Sequence, residues 1–381
     1  MSLLDVAIVG AGPVGATLAA LCAQPGRAVE LFEARDGAST DARTLALSHA
    51  SRELLESVQA WPHAVATPIT TIHVSQQGGP GRTLLEAREQ GIPALGYTVA
   101  FAALEQALAA RVAAQEVPIR YGERCEAITL EPDAALLRFA SGREARARLL
   151  VLADGGANAA RIPGIGFHEK DYGQLAVVAR VRTDKPHAGR AYERFTPRGP
   201  MALLPVADRY ALVWTAAPDE ARRLQELEPD DFVRELQQAF GDRAGRFLSV
   251  EGRAAFPLRL RAVNTPIALR TAIVGNAAQA LHPVAGQGLN LGLRDAAELA
   301  AAIAATPVAE LGSFAMLEAY RDARRRDATR GVMFTDLLVG AFGDARRVPR
   351  WGRGLALAAL DLFPPARRLL AQRMIHGAPA P

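Results

Sequence analysis

Cysteine is scarce in this sequence. Only Cys22 and Cys125 occur among 381 residues, and there is no C-x-x-C motif. This excludes a dithiol redox centre of the disulfide-reductase kind. We expect both thiols to pack as small buried hydrophobic groups. Because no disulfide framework is available, a reducing compartment such as the cytoplasm is favoured.

Long hydrophobic runs are also missing. No window approaches the roughly 18 uninterrupted apolar residues that a membrane-spanning helix needs. The segment Met1–Asp5 lacks the basic residues that begin a signal peptide. We therefore expect a protein that is at most peripheral to a membrane.

Neither sign of charge dominates the sequence. The formal net charge is +4, and the 44 Lys and Arg residues are spread along the chain rather than clustered with aromatic residues. We therefore expect no nucleic-acid partner. The seven histidines show no ligand spacing of the H-E-x-x-H kind, so we also expect no metal site. A hydrophobic content of 50% allows a large core, enough for two lobes at this length.

The first informative feature is the glycine motif Gly10-Ala11-Gly12-Pro13-Val14-Gly15. It follows the apolar run Val6–Val9, which predicts a buried parallel strand, and it leads into a predicted helix over Val14–Ala23. A second strand is predicted over Ala28–Phe32, so the motif lies in a β-α-β unit. This context predicts binding of a dinucleotide, but it does not separate FAD from NAD.

Each glycine of this motif has an expected role. Gly10 permits the tight turn from strand to helix, Gly12 lets a diphosphate approach the backbone, and Gly15 lets helix and strand pack closely. The N-terminus of the helix supplies unpaired N–H groups for the diphosphate. Glu33, at the end of the second strand, is placed to accept hydrogen bonds from ribose hydroxyls.

A second glycine-rich segment, Gly275–Asn290, follows a short apolar strand and leads into a predicted helix over Leu289–Ala304. Asn276 is placed to bind a ribityl hydroxyl. Gly286 and Gly288 let the backbone lie against a flat ring without side chains in the way. The helix N-terminus would stabilise negative charge on a reduced flavin. This segment therefore favours FAD over NAD.

The remaining pattern predicts an α/β chain with a β-rich insertion. Helices are expected over Leu45–Ser57 and Ala102–Ala114, and strands over Ile119–Leu130, Ala134–Phe139 and Leu149–Leu152. From about residue 166 to 260, alternating segments between turn residues predict an antiparallel sheet. We predict a discontinuous nucleotide domain over 1–165 and 261–340, a β-rich substrate domain over 166–260 and a helical tail over 341–381.

A third element, Val151-Leu152-Ala153-Asp154-Gly155-Gly156, comes just before the β-rich region. The three elements in this order resemble those of the aromatic-ring hydroxylases, single-component FAD monooxygenases of the p-hydroxybenzoate hydroxylase fold. The resemblance is greatest to the ubiquinone-biosynthesis hydroxylases. It extends along the whole chain and includes Asp41-Ala42-Arg43 and Glu193-Arg194-Phe195-Thr196. It implies a Rossmann-like FAD-binding domain of three-layer β/β/α architecture with an inserted β-rich substrate domain.

The chain departs from the usual Gly-Asp-Ala-Ala-His motif of that family. It has Gly275-Asn276-Ala277-Ala278-Gln279 instead, which resembles the 2-polyprenyl-6-methoxyphenol hydroxylase branch. An amide thereby replaces a carboxylate at the position expected to bind the ribityl chain.

The resemblance implies FAD contacts from both glycine-rich segments and from several residues between them. These are Gly10, Gly12, Pro13, Val14, Gly15, Glu33, Arg35, Arg43, Gln106, Cys125, Asp154, Gly275, Asn276, Pro283, Gly286, Gln287, Gly288, Leu289 and Asn290. Cys125 would contribute its backbone near adenine, and Asp154 would help to hold both FAD and NAD(P)H. Alternatively, Arg43 is a surface ion-pair partner and Gln106 a solvated helix residue.

The implied reaction combines NAD(P)H, O2 and a polyprenylated phenol. Hydride reduces the flavin, oxygen adds to form a flavin hydroperoxide, and its distal oxygen passes to the ring. The sequence identifies no general base. His282 and Pro283 are candidates on the flavin side, and a role for His282 in supporting the loop is favoured over a catalytic one. Substrate contacts are expected around Phe195 and Met201–Pro205.

Several alternatives stay open at this point. The same fold could serve a flavin reductase of isoprenoid double bonds, a hydroxylase of soluble aromatics, or an inactive flavoprotein that scaffolds a biosynthetic complex. The stretch Arg346–Arg373 is basic and amphipathic. It could contact an anionic surface such as the inner membrane or other ubiquinone-biosynthesis proteins, or it could pack on its own domain.

Overall fold

The computed structural model describes residues 2–37, 39, 41, 43–78, 81–280, 287–325, 361 and 363–376. The labelled helices are α1 (Pro13–Cys22), α2 (His49–Ser57), α3 (Phe101–Ala114), α4 (Pro218–Glu226), α5 (Pro229–Phe240) and α6 (Gln287–Ala305). Residues 314–325 are also helical, and Pro364–His376 form the C-terminal helix. Short 3-10 turns occur at Ala87–Gln90, Ala159–Arg161, Asp242–Ala244, Gly275–Ala277 and Val308–Glu310.

The strands follow in chain order. They are β1 (Leu3–Val9), β2 (Val29–Phe32), β3 (Thr44–Ser48), β4 (Thr67–Ile69), β5 (Thr71–Gln76), β6 (Arg82–Glu86), β7 (Gly96–Ala100), β8 (Ile119–Arg120), β9 (Cys125–Leu130), β10 (Ala135–Phe139), β11 (Glu144–Leu152), β12 (Phe167–Thr183), β13 (Arg190–Thr196), β14 (Gly199–Val206), β15 (Arg209–Ala216), β16 (Phe247–Val263), β17 (Ile267–Ala268), β18 (Thr271–Ile273) and β19 (Gln279–Ala280).

The first sheet is the parallel sheet that the glycine motif predicts. Strands β18, β11, β1, β2 and β8 run parallel in that order, β17 pairs antiparallel with β18, and β9 and β10 pair antiparallel beside β11. Val6 and Ile8 of β1 are buried in one cluster with apolar residues of α1, α3 and α6. Ala7 and Val9, which point to the opposite face, are buried with residues of β9 and β10.

This arrangement gives three layers, with helices on one face of the parallel sheet and antiparallel strands on the other. Phe32 of β2 stacks on Phe139 of β10 with ring centroids 4.5 Å apart. The predicted α/β fold with a Rossmann-like, three-layer β/β/α unit is confirmed. Among the described residues, no helix has the length and apolar character needed to cross a bilayer.

The second sheet has the strand order β19-β16-β12-β15-β14-β13-β5-β6. Helices α4 and α5 pack on one of its faces, where Trp214, Phe232 and Phe240 are almost fully buried. Its strands extend beyond the range 166–260 expected for the β-rich domain, because β5 and β6 join one edge and β19 joins the other. The two sheets are therefore linked by several chain crossings.

A small third sheet corrects one prediction. Residues 45–48, predicted as the first part of a helix, belong to a strand, since β3 pairs antiparallel with β7 over Thr44–Ser48 and Gly96–Ala100. The helix begins only at His49, where the Ser48 hydroxyl caps it by accepting the Ser51 N–H at 3.2 Å. The strand predicted over Ile119–Leu130 is likewise divided, because Gly122 turns the chain with φ +74° between β8 and β9.

Candidate functional site

The glycine motif forms the turn between β1 and α1. A side chain at Gly10 (φ +104°) would lie 2.6 Å from the Ala153 carbonyl oxygen, and one at Gly15 would overlap the Gly10 carbonyl oxygen. A Cβ at Gly12 would meet nothing within 4 Å, and Gly12 lines a large cavity. Gly10 and Gly15 are thus required by packing, whereas Gly12 leaves open space in front of the helix N-terminus.

Glu33 closes this turn at the end of β2. Its Oε2 accepts the Ala11 N–H at 2.9 Å, and its Oε1 accepts the Arg35 Nε–H at 2.9 Å. Burial would raise the pKa of the Glu33 carboxyl, but hydrogen bonds from Arg35 and Ala11 outweigh it and lower the pKa below its usual value. Glu33 is therefore ionised and oriented beside the turn.

The network continues to α3 through a residue that the sequence analysis missed. Arg35 donates from Nη2 to Glu105 Oε1 at 2.7 Å, and Glu105 Oε2 accepts the Ser39 N–H at 2.8 Å. Glu105 is buried, whereas the predicted contact Gln106 is exposed on the same helix. The helical spacing from the buried residues Leu104 and Leu108 could have distinguished the two positions.

The second glycine-rich segment lies directly against the first. A Cβ at Gly275 would be 3.1 Å from Val14 Cγ2, and a Cβ at Gly292 would be 2.7 Å from the same atom. Val14 of α1 is thus held between the 3-10 turn that starts at Gly275 and the first turns of α6. The structure brings together two segments that are far apart in the sequence.

A buried ion pair anchors this second segment. Asp295 of α6 accepts the Gly275 N–H and the Gln279 Nε2–H through Oδ2, each at 2.9 Å. Its Oδ1 accepts the Arg324 Nε–H at 2.7 Å. Burial raises the pKa of Asp295, and the Arg324 guanidinium opposes that rise. The sequence analysis assigned no role to Asp295 or Arg324.

The polar side chains of the second segment have different tasks. Asn276 is exposed. It lines the cavity together with Gly288 and Leu289. Asn290 is buried, and its Oδ1 accepts the Ser48 N–H at 2.8 Å and the Ser51 hydroxyl at 2.7 Å. Asn290 therefore ties α6 to the start of α2. The predicted residues His282, Pro283 and Gly286, and the side chain of Gln287, lie outside the described residues.

Asp154 shapes the turn after β11. Its carboxylate accepts the Gly156 N–H at 2.9 Å, the Asn158 N–H at 3.0 Å and the Asn158 Nδ2–H at 2.7 Å. The flanking residues Ala153 and Gly155 line the cavity. Asp154 thus fixes the loop that faces Gly10 across the carboxyl end of the first sheet.

Cys125 begins strand β9, and Arg43 directly precedes strand β3. The Cys125 carbonyl oxygen accepts a hydrogen bond from Arg161 Nη1 at 3.0 Å, and burial raises the pKa of its thiol to about 11. Burial likewise raises the pKa of Cys22 to about 12, and both thiols are buried as expected. Arg43 donates to Asp41 Oδ2 at 2.7 Å, lies over the Phe101 ring and lines the cavity.

The cavity itself lies between the glycine-rich segments and the second sheet, and its volume is about 1240 Å³. This exceeds the roughly 300–1,000 Å³ of typical ligand pockets. At one end are Gly12, Val14 and Asn276, and the wall made by the second sheet is largely apolar. Leu370, Ala371 and Ile375 of the C-terminal helix line it as well. One space therefore connects the nucleotide-type turn with an apolar chamber.

The C-terminal helix is packed on its own chain. Ala371 and Ile375 are buried in a cluster with Leu85 and Leu95. Arg367 forms a bidentate pair with Glu89, with Nε and Nη2 to carboxylate distances of 3.1 and 2.7 Å. In the described part of the basic stretch the C-terminal helix packs on its own chain, while residues 346–360 and 362 lie outside the described residues.

These residues fit an extended dinucleotide with a flat ring. The open position at Gly12 and the N-terminus of α1 suit a diphosphate, and ionised Glu33 suits ribose hydroxyls. Asn276 and the N-terminus of α6 face the cavity next to Val14, where a ring system has room.

Comparison with known proteins gives a consistent result. The family of FAD binding domains matches residues 3–335 of the chain. The chain is 35% identical over 377 residues to ubiquinone hydroxylase UbiL from Rhodospirillum rubrum, covering 96% of this chain and 88% of that protein. It is 32% identical to the 3-demethoxyubiquinol 3-hydroxylase of Escherichia coli, covering 94% of each protein.

A solved structure shares the fold at low sequence identity. The p-nitrophenol 4-monooxygenase PnpA from Pseudomonas putida aligns with a TM-score of 0.79 at 18% identity and covers 99% of both chains. FAD is the cofactor of this family, and its hydroxylases take electrons from NAD(P)H. The chain belongs to the FAD-binding domain family and is an FAD-dependent aromatic-ring monooxygenase related to the ubiquinone hydroxylases.

Proposed function

We propose that this protein uses NAD(P)H and O2 to hydroxylate the ring of a polyprenylated phenol, a precursor of ubiquinone. The relatives named above support the pathway, since two of them are hydroxylases of ubiquinone or demethoxyubiquinol. The observation that carries the proposal is the single cavity that joins the glycine turn to a large apolar chamber.

We assign the two ends of FAD to the two glycine-rich segments. Gly10, Gly12 and the N-terminus of α1 would hold the diphosphate, with Glu33 on the adenosine ribose. Asn276 and Gly288 would lie along the ribityl chain and the ring. When bound, FAD supplies the redox chemistry, because it accepts hydride from NAD(P)H and activates dioxygen. Arg43, Asp154, Cys125 and Gln106 stay predicted contacts.

The protein itself positions the substrate and excludes water from the site. The apolar wall of the second sheet keeps water away from the reacting ring and binds the hydrocarbon tail of the substrate. Leu370, Ala371 and Ile375 close the cavity with apolar side chains, as an isoprenoid tail requires. We propose that the first sheet with α1, α3 and α6 forms the discontinuous FAD unit, and that the second sheet forms the substrate unit.

The proposal is tested with purified protein, 2-farnesyl-6-methoxyphenol, NADH or NADPH, and ¹⁸O2. We expect phenol-dependent consumption of NAD(P)H and O2 and a product that gains one ¹⁸O atom. Unprenylated 2-methoxyphenol, as the matched control substrate, should be turned over with a much higher KM.

Each alternative function has its own result in this experiment. A reductase would give a product with two added hydrogens and no ¹⁸O. A hydroxylase of soluble aromatics would show no preference for the prenylated phenol. An inactive scaffold would bind FAD that neither NADH nor NADPH reduces.

A further inference from the structure

One carboxyl group stands in the middle of the apolar wall of the cavity. Glu193 lies on β13, with Val74 of β5 opposite it on one side and Ala202 of β14 on the other. The same cross-strand row continues to Thr83 on β6 and to Val213 on β15. All five residues line the cavity. Glu193 is the only ionisable residue in this row.

The next rows on this face of the sheet are also largely apolar near Glu193. Two residues along β13 in either direction are Ala191 and Phe195, and both line the cavity. Glu193 therefore points between apolar neighbours on its own strand and on both adjoining strands, and this half-buried side chain lines the cavity.

No described residue of the chain compensates this carboxyl. Within the part of the chain that the structure describes, it has no hydrogen-bond or ion-pair partner. Burial raises the pKa of Glu193 to about 8. A carboxyl placed deep in an apolar wall without a partner is unfavourable for the empty protein, so its natural complement is a polar group of the molecule that fills the cavity.

The other charged groups that face the cavity lie elsewhere or are engaged. Asp41 and Arg43, on the segment before β3, pair with each other. Arg180 of β12 and Glu251 of β16 are opposite one another in the sheet, and β14 and β15 separate them from β13. Glu251 also pairs with Arg209 at 2.9 Å. Glu193 is thus the carboxyl that a ring in the apolar part of the cavity would meet.

We propose that Glu193 binds the ring hydroxyl of the phenolic substrate and accepts its proton during hydroxylation. The proposal rests on the function proposed above and names the residue that positions and activates the ring. The O–H bond of the phenol breaks as an O–H bond to a Glu193 carboxylate oxygen forms. The electron pair stays on the phenol oxygen, so the ring becomes more electron-rich and no redox change occurs in this step.

The test compares the wild-type holoenzyme with Glu193→Gln, Glu193→Asp and a control, Glu169→Gln. Glu169 is an exposed glutamate of β12 in the same sheet. Since only ionised Glu193 can accept the proton, kcat/KM for 2-farnesyl-6-methoxyphenol should rise with pH and level off above about 8 in the wild type.

In Glu193→Gln this rising limb should disappear and kcat/KM should fall by at least about 100-fold, the usual loss when a general base is removed. FAD content should not change. Glu193→Asp should recover part of the rise of kcat/KM with pH. The control Glu169→Gln should have the wild-type pH profile. A Glu193→Gln enzyme that keeps the wild-type pH profile would overturn the proposal.

A calorimetric titration separates failure of this inference from failure of the proposed function. The same phenol is titrated into wild-type and Glu193→Gln holoenzyme, without NAD(P)H, in buffers of different ionisation enthalpy. Binding to the wild type should be linked to proton exchange between pH 7 and 9, and this linkage should be lost in the variant.

If the phenol binds with this linkage but no oxygenated product forms, the hydroxylase function is wrong and the assignment of Glu193 as a ligand stands. If the phenol does not bind to the wild type, or binds both proteins with the same proton exchange, the inference about Glu193 is wrong.

Discussion

Three glycines of the first turn differ in what a methyl group would meet. At Gly15 it would overlap backbone, at Gly10 it would approach the Ala153 carbonyl oxygen, and at Gly12 it would enter open space within the cavity. The same residue type therefore serves folding at two positions, and at the third it leaves the space in which we propose that the diphosphate binds. This difference can be measured because stability and FAD affinity are separate quantities.

We expect Gly12→Ala to weaken FAD binding by at least 10-fold, since the methyl group occupies space proposed for the diphosphate. The free energy of unfolding of the FAD-free protein should fall by no more than about 1–2 kcal/mol, because Gly12 has an ordinary φ of −67° and the loss is only that of a less favourable cap residue. Fluorescence titration with FAD and urea unfolding of the FAD-free protein measure the two effects.

Gly15→Ala is the matched control, with the opposite expectation. Its methyl group overlaps the Gly10 carbonyl oxygen, so the FAD-free protein should lose several kcal/mol of stability, as in other overpacked sites. If Gly12→Ala destabilises the FAD-free protein as much as Gly15→Ala does, the division of roles among these glycines is wrong.

Residues differ in how far the sequence reveals them. The placement of the glycine motif and of Glu33 at one turn was predictable because it depends on a local pattern, a strand followed by a tight turn and a helix. Glu193 could have been noticed, since Ala191 and Phe195 share its face of β13 and a carboxyl interrupts that apolar alternation. Asp295 could not be assigned a role, because its partner Arg324 belongs to a helix that no motif connects to it.

At the scale of elements, the site depends on how α1, α6 and helical residues 314–325 are held together. Val14 packs α1 against α6, and the Asp295–Arg324 pair joins α6 to the next helical segment and to the turn at Gly275. Both residues of the pair are at least 95% buried. The pair therefore positions the turn at Gly275, which belongs to the proposed flavin-ring end of the site.

We expect Arg324→Met to destabilise the protein by about 3–5 kcal/mol, because it leaves the buried Asp295 carboxylate without its partner. The pKa of Asp295 should rise further, so the loss should be smaller at acidic pH, where Asp295 can be protonated. FAD should bind more weakly, since Asp295 also holds Gly275. Urea unfolding at several pH values measures the loss.

Arg321→Met is the control for this substitution. Arg321 precedes Arg324 by one helical turn and pairs with Glu318 and Asp322 at the surface. Such exposed pairs contribute at most about 1 kcal/mol. Equal losses of stability in the two variants would contradict the role given to the buried pair.

The type of an element was predictable where the sequence pattern is local. The prediction was wrong where hydrogen-bond pairing with a distant strand decides the structure. The sequence predicts β1, α1 and α3 because a short apolar run, a glycine turn and helical segments rich in small apolar residues are local features. Residues 45–48 were assigned to a helix, yet they belong to strand β3 because β7 provides its hydrogen-bond partners from a distant part of the chain. Context of this kind overrides local propensity and is invisible in a single sequence.

At the scale of the whole molecule, the cavity exists because three parts of the chain surround it. The glycine-rich segments form one end, the second sheet forms a wall, and the C-terminal helix covers part of the apolar chamber. The proposed domains meet at this cavity, so its closure depends on contacts that belong to neither sheet alone. The Arg367–Glu89 pair is such a contact, since it ties the C-terminal helix to the 3-10 turn after β6.

We expect Arg367→Gln to loosen the packing of the C-terminal helix without affecting FAD affinity, because neither residue of the pair lines the cavity. Its bidentate, partly buried geometry should be worth about 1.5–3 kcal/mol. Water entry should then increase the fraction of NAD(P)H oxidation that yields hydrogen peroxide instead of hydroxylated phenol, by a few fold. Arg368→Gln, at an exposed neighbouring position, should leave this ratio unchanged. Peroxide and product are measured per NAD(P)H consumed, and an unchanged ratio in Arg367→Gln would show that the helix does not seal the reacting site.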